Sequence, residues 1–192
     1  MDNNLAQFAT KTDDGWRDLI CGLDVKQTGG NIPVLTAFRN GLFLYAFADG
    51  FVTEAFATAH LQHDYKLGTM IYPHFHWTTN SGAVGTVRWG FEYTWARRAD
   101  STGQLAFPAT TTIYVEQAAD GTPYKHYVAE SPDGAGIPAD TIQPDTVILF
   151  RVFRDGAHVN DTLNDIAFGF TFDLHYQADR YATPSRFPPF YV

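Results

Sequence analysis

Apolar and polar positions alternate along most of this chain at the period of a β-strand. Nine stretches read as strands: Val34–Phe38, Leu42–Ala48, Glu54–Leu61, Gly68–Trp77, Gly85–Ala96, Thr110–Gln117, Tyr124–Glu130, Thr146–Arg154 and Ile166–Tyr176. Turn chemistry separates nearly all of them, at Asn40-Gly41, Asp49-Gly50, Asn80-Ser81-Gly82, Asp120-Gly121, Ser131-Pro132-Asp133-Gly134 and Asp155-Gly156. Such residues supply left-handed backbone or local side-chain hydrogen bonds that reverse the chain. No segment carries a convincing helical period, and Gly22 weakens the short turn that Asp18–Val25 would form. Strands do not alternate with helices, so a parallel α/β sheet is disfavoured.

The pattern predicts an all-β fold: an antiparallel, jelly-roll-like β-sandwich of about eight strands with an extended N-terminal arm. Residues 1–33 read as the arm, 34–180 as the sandwich and 181–192 as an aromatic, proline-containing tail. Phe8 and Trp16 in the arm, and Arg186, Phe187, Phe190 and Tyr191 in the tail, are the candidate interface residues. A length of 192 residues suits one sizeable core rather than two domains.

Composition narrows the function classes. A net charge of −8, with Arg97-Arg98 as the longest basic run, argues against nucleic-acid binding. The lone Cys21 cannot form an internal disulfide. The polar start has no signal-peptide character, and no apolar run approaches the roughly 20 residues of a spanning helix. The expectation is a protein made and kept in the cytoplasm, with neither a nucleic-acid nor a membrane partner. Aromatic residues at 16% suit strands and large interfaces.

The stretch GTMIYPHFHW, Gly68 to Trp77, raises the question of chemistry. Alternation puts Met70, Tyr72, His74 and His76 on one face and Ile71, Pro73, Phe75 and Trp77 on the other. The following strand puts Val87, Trp89, Phe91, Tyr93 and Trp95 together, with Thr86, Arg88, Glu92 and Thr94 opposite. If the two strands form a hairpin, their aromatic faces coincide, making Phe75, Trp77, Trp89, Phe91, Tyr93 and Trp95 the core anchors. The histidines then lie beside Arg88.

Gly68, five residues and His74-x-His76 also match the opening of the cupin metal motif, but Asn80 and Ser81 stand where a Glu ligand is wanted. Asp173 or His175 would complete a two-His, one-carboxylate set if their strand lay adjacent. Arg88, expected opposite the histidines, would oppose a divalent ion. His74, His76, Arg88, Asp173 and His175 are therefore read as a polar-face cluster, with no metal, cofactor or catalytic residue assigned. His60, His63, His126 and His158 are dispersed. The G-x-S-x-G elbow, the phosphate loop and the EF-hand spacing are all missing.

The segment His63–Ala96 resembles a pattern found in virion structural proteins of tailed bacteriophages. Asp64, Tyr65, Lys66 and Gly68 lead into Tyr72, Pro73, His74, His76 and Trp77, and Trp89, Glu92, Tyr93, Trp95 and Ala96 follow. The late strand with Asp173, His175 and Tyr176 is similar as well. The resemblance implies a jelly-roll capsid cement or decoration protein, a homotrimer whose partner is the major capsid protein and whose place is the capsid surface of the virion. A tail- or fibre-associated receptor-binding protein and a cupin-like metal-dependent enzyme using His74 and His76 are the alternatives.

Overall fold

The computed structural model describes residues 15–26, 31–138, 140, 142–179, 183, 185, 186, 188 and 190. Among these residues are ten strands: β1 (Gly15–Cys21), β2 (Val34–Arg39), β3 (Leu42–Phe47), β4 (Val52–His60), β5 (Tyr72–Thr78), β6 (Val84–Ala96), β7 (Thr111–Asp120), β8 (Tyr127–Glu130), β9 (Val147–Asp155) and β10 (Ala167–Ala178). The nine predicted strands are β2 to β10. The tenth, β1, falls within the segment read as an arm.

All pairings between strands are antiparallel, in two sheets. One has the order β2-β3-β10-β5-β8, and the other β4-β9-β6-β7. The eight strands β3 to β10 thus form two facing four-stranded sheets, β3-β10-β5-β8 and β4-β9-β6-β7. Among these eight, every connection but β6–β7 crosses from one sheet to the other. That is the wrapping of a jelly roll, with β1 and β2 added to one sheet. Strand β10 has one edge along β5. Its other edge is shared: Ala167–Gly169 pairs with β3, and Phe172–Ala178 pairs with β1. Asn40, in the left-handed region at φ 51°, turns β2 into β3.

Strands β5 and β6 do not form a hairpin. They lie in opposite sheets, and their aromatic faces meet across the sandwich instead of side by side. Phe75 and Trp89 have ring centroids 4.6 Å apart, and Trp77 and Trp89 are 6.0 Å apart. Phe47 packs edge-on against both Phe75 and Trp89, and Phe91 packs at a tilt against Phe172. Phe75, Trp77, Trp89 and Phe91 are fully buried, and Tyr93 and Trp95 nearly so. Each large ring removed from water contributes on the order of 2–3 kcal/mol, so this layer dominates the favourable side of folding.

A buried ion pair lies inside the fold. Arg154 on β9 is completely buried and grips Asp161 through two nitrogens, at 3.0 and 2.7 Å. It also donates to the carbonyls of Phe47, Leu163 and Asp165. These bonds tie β9 to β3 of the other sheet and to the loop ahead of β10.

Candidate functional site

The register of β5 and β10 assembles the polar face. Asp173 stands opposite His74 and His175 opposite Tyr72, while β8 brings Glu130 opposite His74 from the other side. Strand β1 brings Asp18 opposite His175. Because Phe75 and Trp77 point into the sandwich, His74 and His76 point away from it, onto the outer face of the six-stranded sheet.

Four imidazoles form a row on that face. Ring centroids are 4.0 Å apart for His175 and His74, 5.0 Å for His74 and His76, and 4.9 Å for His76 and His126. Three carboxylates border the row. His76 Nε2 lies 3.3 Å from Asp173 Oδ2, and His74 Nε2 lies 3.8 Å from the same oxygen and 3.8 Å from Asp18 Oδ1. His175 pairs with Asp18 through Nε2 at 2.7 Å and with Glu130 through Nδ1. The outer ring nitrogen of His76, Nδ1, hydrogen-bonds His126 Nε2 at 2.7 Å.

The centre of the row is dry although it lies on an outer face. His74 is 1% exposed and Asp173 6%. His74 Nδ1 and Asp173 Oδ1 are buried without a hydrogen-bond partner. Burial pushes the His74 imidazole down to about 4, with the neighbouring His175 and His76 adding to the effect, so at neutral pH it is an uncharged ring. Burial also pushes the Asp173 carboxyl above its ordinary range, against the pull of His76. At the margin of the row an open cleft of about 560 Å³ is lined by Trp16, Tyr72, Glu130, Ser131, Asp133 and His175.

Of the predicted polar-face cluster, His74, His76, Asp173 and His175 come together and Arg88 does not. Arg88 is on the outer face of the other sheet, bound to Glu116 at 2.6 Å and Asp155 at 3.3 Å and lying over the Tyr114 ring. Its expected place beside the histidines followed from the hairpin, and β6 lies in the opposite sheet. The cation that spoke against a metal is therefore absent from the site. Sequence reasoning missed Asp18, His126 and Glu130. Asp18 alternates with Trp16 and Ile20, a signal for a strand face, but the partners of these residues are far away in the chain.

The candidate interface residues separate as well. Trp16 is 56% exposed on β1, with its ring 5.7 Å from that of Tyr72. Arg186 is exposed, and its carbonyl accepts a bond from Arg98. Phe190 is 3% exposed, set against the His63 ring of its own chain, so it is a core contact rather than a free docking residue. Phe8, Phe187 and Tyr191 lie outside the described residues.

A larger exposed feature was not predicted. At the sheet edge, Val34 and Leu35 on β2 and Leu42 and Phe43 on β3 are each more than half exposed. Neighbours in a strand face opposite ways, so this ribbon is apolar on both faces. In comparison with known proteins, no family model matches the chain and no curated protein matches it.

Proposed function

We propose that the chain is a virion structural protein, a capsid cement or decoration protein that binds an assembled shell as a homo-oligomer, with the major capsid protein as its partner. The observation that carries this reading is the β2–β3 ribbon. Val34, Leu35, Leu42 and Phe43 hold both of its faces apolar, and among the described residues β2 pairs only with β3. An open edge with apolar flanks is a hazard to a monomer and an asset to an assembling subunit. Trp16 and Ile20 extend the exposed apolar surface onto β1. The jelly-roll wrapping and the His63–Ala96 resemblance support the same reading.

The mechanism is mechanical. An oligomer whose subunits bridge neighbouring capsid proteins adds buried interface, and so raises the free energy needed to separate them. The test is the protein composition of purified particles. The chain is expected in fixed stoichiometry with the shell protein, on the head by immunogold labelling. Absence from particles overturns the reading, and a location on the tail fibres overturns its capsid part. Truncation has to spare residues 15–21, because deleting residues 1–30 would strip β1 from β10 and test folding instead of docking.

A further inference from the structure

We propose that His74, His76 and Asp173 form a binding site for one divalent transition-metal ion of the zinc class, independent of the role in a particle. The three ligand atoms are His74 Nε2, His76 Nε2 and Asp173 Oδ2. The two nitrogens stand 3.8 and 3.3 Å from the shared carboxylate oxygen, and all three atoms lie within 4.8 Å of one another. Bonds of about 2.1 Å in a tetrahedron require ligand atoms about 3.4 Å apart, so the gap needs only small side-chain rotations to close on an ion. Two imidazoles and one carboxylate match the preferences of zinc, cobalt(II) and iron(II), not those of calcium or magnesium.

Three further observations point to a ligand rather than to a hydrogen-bonded polar face. First, His74 and Asp173 are over nine-tenths buried, and their facing atoms, Nε2 and Oδ2, stand 3.8 Å apart, too far for a hydrogen bond between them. Burying a carboxylate this way is costly, and a bound cation offsets that cost. Second, the remaining nitrogen of His76 is engaged by His126 at 2.7 Å, the outer contact that fixes the tautomer and orientation of a ligating histidine. Third, fixed positive charge is missing where the sequence led us to expect it, because Arg88 lies on the opposite sheet. The surrounding carboxylates Asp18 and Glu130 make the locale favourable for a cation, and both are already occupied with His175. The fourth position is left to water. The ion would pin β5 to β10 beside the place where β1 joins the sheet.

The experiment uses the full chain, stripped with a chelator and titrated with zinc(II) or cobalt(II) alone. One equivalent per chain is expected, with cobalt giving the intense visible bands of a four-coordinate site and zinc bleaching them. Zinc at a hundredfold excess over its Kd should raise the melting midpoint by roughly 5–10 °C. Asp173→Asn, nearly isosteric, and His76→Gln, at a partly exposed ring, should each weaken binding by about tenfold or more. The apo melts and circular dichroism of these two variants show whether they fold. Stoichiometry below a tenth of an equivalent, an octahedral cobalt spectrum, or unchanged affinity in both folded variants overturns the site.

Discussion

Single residues set two sharp expectations. Arg154 serves five acceptor contacts inside the fold, two of them on Asp161, which is itself buried. Arg154→Met would leave the Asp161 carboxylate with one backbone donor, from Arg88, and three carbonyls without their guanidinium. A destabilisation of about 3–5 kcal/mol is expected in urea unfolding, as for other buried pairs broken on one side. Adding Asp161→Asn should recover part of the loss, because it removes the orphaned charge. Cys21 sets a second expectation. Burial, helped by the charge of Asp173, pushes its thiol up to about 12. The native thiol should resist labelling at pH 8 and react fully in denaturant. The unfolded thiol ionises near 9, whereas in the folded protein it keeps its proton up to about 12. Its contribution to stability is thus fully present below pH 9 and is lost as pH rises towards 12. Cys21→Ala should flatten the fall in unfolding midpoint over that alkaline range.

At the scale of elements, the limits of sequence reading have physical causes. Turn chemistry and period-two patterning are local, and they located β2 to β10. Strand β1 is held by a seven-residue register with β10, from Gly15↔Ala178 to Cys21↔Phe172, and nothing near it in the sequence announces that partner. The error at β5 and β6 has another origin. Phe75 and Trp77 face Trp89 and Phe91 equally well side by side in one sheet or across two, so alternation identifies the buried face without choosing the sheet. The same ambiguity placed Arg88 wrongly, yet His74, His76, Asp173 and His175 were legible because their face depends on period alone. Gly169 tests the packing that results. It pairs with Tyr45 of β3 and Trp77 of β5, just before the register shift in β10. A methyl group there would stand 2.4 Å from the Phe75 ring and 2.8 Å from Phe47, both fully buried. Gly169→Ala should therefore cost about 1–3 kcal/mol in chemical unfolding. Gly41→Ala, whose added carbon meets nothing, should stay within about 0.5 kcal/mol of the parent.

The whole molecule presents a conflict that assembly would resolve. Its surface carries a net charge of −8, which keeps copies apart, and an edge ribbon that water disfavours on both sides. Burying Val34, Leu35, Leu42 and Phe43 against a second copy removes four large apolar side chains from water at about 25 cal/mol per Å². Among the described residues the outer edge of β2 is unpaired, and it is open to hydrogen bonding. Association should then win over charge repulsion at micromolar concentration, and should strengthen as salt screens that repulsion. Light scattering is expected to give about three times the 21.4 kDa of one chain, and the mass should not fall when salt is raised. Changing Leu42 and Phe43 together to Glu places a charge on each face of the ribbon without touching the core, since both side chains are exposed. That variant should be a monomer with unchanged circular dichroism and little change in its melting midpoint. A parent protein that runs as a monomer at all salt concentrations, or a double variant that keeps the oligomer, would remove the ribbon from the assembly and with it the main support for a role in a shell.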